Sequence, residues 1–544
     1  MSATPAAAPR PAAAPARSAP GTVRRLIVYT ILFALVVITA NGVAGLLARL
    51  FETRPGLGAG TEGLALSLAF TLVGGPLAAL LWWFVWRRLD GPDRSSVAWG
   101  LYVAAVSVVA LITFSVSLLS TLAGLVVGNW SPESLANGIA WLAIWVAHRW
   151  MWRHPVKGPV RLATVPIVLA AAYGLIVGAA GAVNVLHALF DAALFAEHAL
   201  GGPWWRGAVQ ALVWLVGGAL VWWWHWVRDG VRALSGGFAD VVLVLTGVLG
   251  AGVTALGGVG TALFVGLRAA FDRSDPWHDL LVPLGLGVAA AAVGAIVWLH
   301  HRRIALERSA RTRSATRLVE SGLGLIGAAS GVGVIVNALL AGLTAPLAGG
   351  GDRELLLGGI AALLVGAPVW WRSWRPLQAG TDAGDSGRRV YLVAVFGVSA
   401  VVALVALLVV GYRIFEFALD TGTGGSFVDR VRAPLGLLVA TALVAAYHFT
   451  IWRRDRAAVP PEAARSRAID RITLVAAGDT AALARAVEQA TGASVTRWTR
   501  ADGAAEEDVP TTDAVVQALA DVHARRVLVV AGGDGRVEVI PLAD

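Results

Sequence analysis

The sequence contains no cysteine and only one lysine, Lys157, among its 544 residues. The absence of cysteine excludes disulfides, thiolate metal sites and cysteine nucleophiles. Charged residues make up only 15% of the chain, whereas an ordinary soluble domain has roughly 25%. The remaining basic residues are all arginines, so the arginine positions carry most of the information about topology.

The sequence contains long apolar segments and few charged residues. Hydrophobic residues form 57% of the chain, and its mean hydropathy is +0.69. A water-soluble core could not absorb so much apolar sequence, and the apolar residues lie in blocks long enough to cross a bilayer. The sequence therefore predicts an all-α polytopic membrane protein of about 12 transmembrane helices, with a small soluble α/β domain at the C-terminus.

A two-helix unit recurs six times along the chain. Each unit ends in a segment of aromatic residues and arginine, and we call these segments the aromatic–Arg endings. They read WWFVWRR (82–88), WVAHRWMWR (145–153), WWWHWVR (222–228), VWLHHRR (297–303), VWWRSWR (369–375) and YHFTIWRR (447–454). The predicted repeats are 22–89, 96–155, 160–229, 236–304, 314–378 and 387–457, within a transmembrane domain over 23–457.

The basic residues predict the orientation of these hairpins. If the N-terminus and the aromatic–Arg endings share one side, 26 Arg and Lys residues lie on that side and 9 lie in the loops within hairpins. Basic loops favour the cytoplasm, which also explains the pI near 10.7 without nucleic-acid binding. We therefore predict a multi-pass protein of the bacterial plasma membrane with both termini in the cytoplasm; the bias toward Ala, Gly, Arg and Val indicates the bacterial source.

Most tryptophans lie in the aromatic–Arg endings. Indole prefers the headgroup region of a membrane, where its ring is half buried and its N–H meets water. We therefore predict interfacial anchors, and prefer them to the capture of a ligand by cation–π contacts. The anchors named from the sequence are Trp82, Trp83, Trp86, Trp152, Trp222, Trp226, Trp370, Trp374 and Trp452.

The two ends of the chain differ from the repeats. Residues 1–22 are rich in Ala and Pro and predict a disordered tail. The apolar block that follows is longer than the apolar region of a signal peptide, which favours an uncleaved first helix over a cleaved signal peptide. A polar linker over 458–467 precedes a cytoplasmic domain over 468–544, whose pattern predicts the order β-α-β-α-β-β with a tight turn at 532–535. Asp479 or Thr480 is predicted to cap the first helix of this domain, in preference to binding an anion.

Polar residues are rare within the predicted spans, although coupled transporters usually carry ionisable groups there. Asn41, Asn184 and Asn337 lie within the first helices of repeats one, three and five. We predict hydrogen bonds between helices for them, with a polar cavity for a substrate or lipid headgroup as the alternative. The acidic residues nearest to the centres of the predicted spans are predicted at or just before helix starts: Glu62, Asp240 and Glu320.

Two sets of potential metal ligands occur. Histidines recur near the aromatic–Arg endings, at His148, His225, His300, His301 and His448. We predict amphipathic anchors at the cytoplasmic interface in preference to a metal or proton site, since acidic metal partners are missing nearby. In the loops of repeats three and four we predict solvated charges in preference to a cation site. These loop residues are His187, Asp191, Glu197, His198, Asp272, Asp275, His278 and Asp279. No catalytic residue, cofactor or metal is predicted.

The recurring unit resembles a bacterial membrane-domain family known as domain of unknown function, number 5671. The resemblance lies in the Arg- and Tyr-led first helices, RRLIVYT (24–30) and RRVYLVA (388–394), and in the aromatic–Arg endings. It covers about 22–457, and the start of repeats three to five departs from it. The resemblance implies a repeated membrane architecture, and it transfers no activity because none is established for the family.

These observations favour a non-enzymatic scaffold or sensor in contact with membrane lipids. The cytoplasmic domain over 468–544 would then be a regulatory module for a protein partner. A transporter or channel for a neutral or lipid-like substrate is the first alternative, since such passage needs no charge within the membrane. A lipid-modifying membrane enzyme is the second, and the missing cluster of catalytic His, Asp and Glu disfavours it.

Overall fold

The structure of the chain is a computed structural model. It describes residues 19–52, 61–89, 91–195, 203–272, 274–343, 350–379, 386–419, 426–458, 469–477, 480–500, 510–522, 524–531 and 536–542. The predictions for the N-terminal tail up to 18, for most of the linker, for Asp479 and for the turn at 532–535 therefore lie outside the described residues.

Twelve long helices occupy most of the described chain. They are α1 (Ala19–Phe51), α2 (Thr61–Arg87), α3 (Val97–Val126), α4 (Pro132–Arg153), α5 (Val165–Phe195), α6 (Trp205–Arg228), α7 (Gly237–Phe271), α8 (Trp277–Glu307), α9 (Ala310–Ala341), α10 (Gly350–Ala379), α11 (Ser386–Leu419) and α12 (Phe427–Ala458). Wide π-helical turns interrupt α2 and α7, and another forms the last five residues of α6.

Eleven helices of the described chain are long and apolar enough to cross a membrane. They support the predicted multi-pass class of protein. The helix outside this set is α4, which has 22 residues and ends in the polar and aromatic segment His148–Arg153. The predicted number of about 12 spans is thus supported for eleven helices, and a membrane-crossing α4 stays a prediction.

The helices extend beyond the predicted apolar spans. α9 begins at Ala310, where the Ser309 hydroxyl accepts a hydrogen bond from the Thr312 amide. Glu320, predicted at or just before a helix start, instead lies ten residues inside α9 and is buried. That prediction was wrong because a polar, capped first turn continues the helix without adding hydropathy.

Neighbouring helices in sequence pack against each other: α3 on α4, α5 on α6, α7 on α8, and α9 on α10. Glycines permit the close approach. A Cβ atom on Gly178 of α5 would lie 3.1 Å from the backbone nitrogen of Ala219 in α6. In lipid, where helices gain nothing by hiding apolar surface from water, this contact between backbones replaces the hydrophobic effect.

The C-terminal residues form a four-stranded sheet, as predicted. Its elements are β1 (Arg471–Ala476), α13 (Ala481–Thr491), β2 (Ser494–Thr499), α14 (Thr512–Leu519), β3 (Arg526–Ala531) and β4 (Val537–Leu542). The strand order is β2-β1-β3-β4; β1 pairs in parallel with β2 and β3, and β4 is antiparallel to β3. Alternate residues such as Ile472 and Val527 are fully buried in the domain core.

The chain forms two compact units. One comprises Met1–Ala379 with Val401–Thr441, and the other Gly380–Ala400 with Ala442–Asp544.

Thr480 lies directly before α13, and its side chain makes no capping hydrogen bond. In α14 the Thr511 hydroxyl does cap the helix, accepting from the Ala514 amide.

Candidate functional site

The tryptophans of the aromatic–Arg endings lie in different environments. Trp374 and Trp226 are buried, with exposed fractions of 0% and 6%. Trp83 is 46% exposed, and the Arg87 guanidinium lies 4.1 Å from its ring centre. The other six predicted anchors are half-buried: Trp82, Trp86, Trp152, Trp222, Trp370 and Trp452. Their interfacial role stays a prediction, whereas Trp226 and Trp374 pack inside the protein.

A cluster of charges surrounds Asp229, whose side chain is 1% exposed. Arg149 donates to both carboxylate oxygens, at 2.7 and 2.9 Å, and Arg153 donates to one of them at 3.0 Å. His225 Nε2 lies 3.7 Å from the other oxygen. Because Arg149 belongs to α4 and Asp229 follows the π-helical turn that ends α6, the cluster joins the second and third hairpins.

Two further buried acids join the fourth and fifth hairpins. Asp240 of α7 accepts a hydrogen bond from the Thr312 hydroxyl of α9 at 2.7 Å and also pairs with Arg308, which directly follows α8. Glu320 of α9 accepts a hydrogen bond from the Arg302 guanidinium at 2.6 Å and another from the Trp298 indole N–H at 3.2 Å. A buried carboxylate is tolerated only with such partners, so these pairs hold consecutive hairpins in one arrangement.

These ion pairs were not predicted from the sequence, although the sequence contains a signal for them. Arg149 and Arg302 each directly follow a histidine of an aromatic–Arg ending, and Asp229 directly follows the third ending. An arginine at the same position of two repeats indicates a shared contact. The acid that it meets lies 80 residues away in one case and 18 in the other, so spacing along the chain does not reveal it.

Four histidines of the endings share one geometry. Nδ1 lies 2.8–2.9 Å from the carbonyl oxygen four residues earlier in His148, His225, His301 and His448. A carbonyl only accepts, so Nδ1 donates its proton and Nε2 is the acceptor of the neutral ring. All four rings are buried, unlike the predicted amphipathic anchors, because they point into the helix contacts; the fifth histidine, His300, is exposed.

The three asparagines lie on three different helices, α1, α5 and α9. Asn41 and Asn184 are exposed, and each donates to the carbonyl oxygen four residues earlier in its own helix, at 2.9 and 2.8 Å. Asn337 is half-buried in α9. The first two therefore bond within a helix rather than between helices, and a polar cavity that includes all three stays a prediction.

The loop residues of repeats three and four form separate pairs. Glu197 and His198 lie outside the described residues. Asp272 is buried, 2% exposed, and lies 4.0 Å from Arg353, while Asp275 pairs with an arginine of α7. The remaining four form two partly exposed pairs, His187 with Asp191 and His278 with Asp279. Nowhere in the described ranges do three His, Asp or Glu residues meet in a group that could hold a metal ion.

Three apolar grooves run between the helices. The α1–α4 groove, between α1, α2 and α4, has a volume of about 630 Å³. The α5–α8 groove, between α5, α6 and α8, has about 420 Å³, and the α7–α10 groove, between α7, α9 and α10, has about 680 Å³. Their linings are mainly Ala, Gly, Val, Leu and Ile, and the volumes lie in the range of small-molecule sites.

Comparison with known proteins identifies the family. A family model described as a domain of unknown function, DUF5671, matches 25–147, 164–281 and 318–443. The first match extends from α1 into α4, the second from the start of α5 into α8, and the third from α9 into α12. Each match thus reaches across two hairpins, and a repeat of single hairpins stays a prediction.

No curated protein and no solved structure matches the chain significantly. The resemblance seen in the sequence is confirmed by the family model, whose three matches together cover more than half of the chain. The chain therefore belongs to the DUF5671 family, a family of unknown function.

Proposed function

We propose that the protein is a non-enzymatic scaffold or sensor of the bacterial inner membrane. In this proposal about 12 spans form six two-helix repeats, both termini lie in the cytoplasm, and the C-terminal domain regulates or recruits a protein partner. The observation that carries the proposal is the set of buried acids Asp229, Asp240 and Glu320, whose ion pairs and hydrogen bonds join consecutive hairpins. Such ties suit a membrane body of fixed shape.

The C-terminal sheet supports a partner-binding role. β2 and β4 are the two edge strands of the sheet. Trp498 on β2 is 63% exposed, and Ile540 and Leu542 on β4 are 37% and 41% exposed. Exposed aromatic and aliphatic residues on edge strands are typical of protein-binding surfaces.

The apolar grooves favour a second candidate function, transport of a neutral or lipid-like substrate. Their linings suit an apolar molecule, and their openings lie along helices that could cross a membrane. A transporter must alternate between conformations that open to the two sides, whereas the scaffold needs only one. A lipid-modifying enzyme has less support, since each of the three buried acids at the hairpin contacts is paired with arginine.

The distance between hairpins two and three separates the scaffold from the transporter. Because the chain has no cysteine, a spin label reacts only with cysteines that are introduced. We place them at Asn129→Cys and Trp204→Cys, which are both exposed and outside the grooves. For a scaffold we expect one narrow distance distribution by pulsed electron resonance in lipid nanodiscs. It should broaden in Asp229→Ala, which shows that the labels report loosened hairpins.

A second populated distance in the labelled protein that retains Asp229 would contradict the scaffold. If added long-chain lipid analogues shifted the balance between two distances, the transport function would replace it.

The membrane crossing of α4 can be tested by labelling from each side. We expect Asn129→Cys and Val156→Cys, at the two ends of α4, to react with a membrane-impermeant maleimide from opposite sides of sealed vesicles. Asn129 should react from outside and Val156 only after permeabilisation, since the basic aromatic–Arg ends favour the cytoplasm. Both positions are exposed. Reaction of both from the same side would exclude the twelfth span.

A further inference from the structure

The α1–α4 groove and the α5–α8 groove occupy equivalent places in two sets of four consecutive helices. The first lies between the first, second and fourth helices of its set, and the second between the corresponding helices of the next set. A family match begins at the first helix of each set and ends at 147 and at 281, before the histidine that lines the groove. Each groove has a tryptophan from the second helix and a histidine from the fourth, Trp82 with His148 and Trp222 with His301. The remaining lining of both grooves is almost wholly apolar.

In the α1–α4 groove both polar groups have partners from the protein. The Tyr102 hydroxyl lies 3.1 Å from His148 Nε2 and donates to it, since that nitrogen is the acceptor of the ring. The Trp82 indole N–H lies 3.1 Å from Met151 Sδ. This groove therefore needs no ligand to satisfy its tryptophan and histidine.

In the α5–α8 groove the same two atoms lack partners among the described residues. His301 Nε2 and Trp222 Nε1 are both buried, and neither makes a hydrogen bond. Ile304 lies three residues after His301, as Met151 lies three residues after His148, and its side chain has no hydrogen-bond acceptor. Gly247 lies against the His301 ring and, unlike Tyr102 beside His148, has no hydroxyl that could donate to it. Two buried, unsatisfied groups cost free energy unless a ligand or water meets them.

The two groups are complementary to one hydroxyl. Trp222 Nε1 can only donate, and His301 Nε2, with its proton on Nδ1, can only accept. The two ring centres lie 6.4 Å apart, so the two side chains are neighbours at one end of the groove. From this polar end the groove continues past Gly178 and Leu215 to Ala182 and Val293, which are apolar.

We propose that the α5–α8 groove binds a lipid alcohol, an amphiphile with one hydroxyl group and a long apolar tail. The hydroxyl oxygen accepts from Trp222 Nε1, and its proton is donated to His301 Nε2. The tail lies along α5, α6 and α8. This inference goes beyond the proposed scaffold, because it assigns a ligand and does not depend on whether the hairpins move.

The test uses the full chain in lipid nanodiscs with a photoreactive probe, hexadecanol that carries a diazirine in its tail. Its methyl ether serves as the matched probe, since an ether accepts from Trp222 but cannot donate to His301. We expect the alcohol to label peptides of α5, α6 and α8 with roughly tenfold higher apparent affinity than the ether, the value of one hydrogen bond. The α1–α4 groove should label equally with both.

Two variants and a control locate the effect. His301→Phe and Trp222→Phe should each weaken labelling of the α5–α8 groove by the alcohol roughly tenfold. Trp223→Phe, next to Trp222 but 45% exposed and outside this groove, should leave it unchanged. Labelling of the α1–α4 groove in each sample reports whether the variant is folded.

Equal labelling of the α5–α8 groove by alcohol and ether would overturn the proposal. So would the absence of saturable labelling, which would mean that water alone meets the two atoms. The comparison of the two probes on the unmodified chain needs no variant, so the proposal is decided even if His301→Phe does not fold.

Discussion

Replacing Asp229 by alanine is expected to lower the free energy of unfolding by about 3–5 kcal/mol. The carboxylate is 1% exposed and is the acceptor for Arg149, whose side chain is only 13% exposed. Its removal leaves the Arg149 guanidinium buried among helices with no opposite charge, and removing one partner of a buried pair costs more than the pair contributed. Unfolding in detergent, followed by tryptophan fluorescence, measures the change.

Two further variants identify the buried charge as the cause. Arg153→Gln removes the exposed partner of the same carboxylate, 56% exposed, and should cost less than about 1 kcal/mol. The double variant Arg149→Leu with Asp229→Leu removes both buried charges and should recover most of the lost stability. If Asp229→Ala cost no more than Arg153→Gln, the cluster would not hold the hairpins together.

Alanine at two adjacent glycines of α7 is expected to change stability in opposite directions. A Cβ atom on Gly258 would overlap the backbone nitrogen of Ala291 in α8, and backbone atoms cannot move aside as a flexible side chain can. We therefore expect Gly258→Ala to destabilise the protein by about 1–3 kcal/mol through forced separation of α7 and α8.

The neighbouring position is the control. A Cβ atom on Gly257 would meet nothing within 4 Å, and alanine favours a helix over glycine by about 1 kcal/mol. Gly257→Ala should therefore be neutral or slightly stabilising in the same unfolding measurement. Equal losses at both positions would show that backbone contact between α7 and α8 is not what Gly258 provides.

The C-terminal sheet illustrates what could be predicted from local sequence. The two central strands, β1 and β3, alternate buried and half-buried residues, as in Ile472, Thr473 and Leu474 of β1, so the period of two is visible in the residue types. The strand order and the parallel pairing of β1 with both neighbours are not visible in that period. They depend on which strands meet in space.

The histidines illustrate the limit at the candidate site. Their recurrence at the aromatic–Arg endings is a property of the sequence, and it led to a prediction of surface anchors. Whether Nε2 of each ring has a partner depends on another helix: Tyr102 for His148, and Gly247 beside His301. That difference between two otherwise similar grooves appears only once α3 and α7 are placed against their neighbours.

The sequence by itself determined the membrane class, the long helices, the strands of the C-terminal sheet and the family, because apolar length, periodicity and recurring endings are properties of consecutive residues. The tertiary structure alone decided that Glu320 is buried beside Arg302, that Asp229 meets Arg149, and that Trp222 and His301 line one groove. These contacts join residues on different helices, and a buried charge or polar atom is satisfied by whatever lies next to it in space.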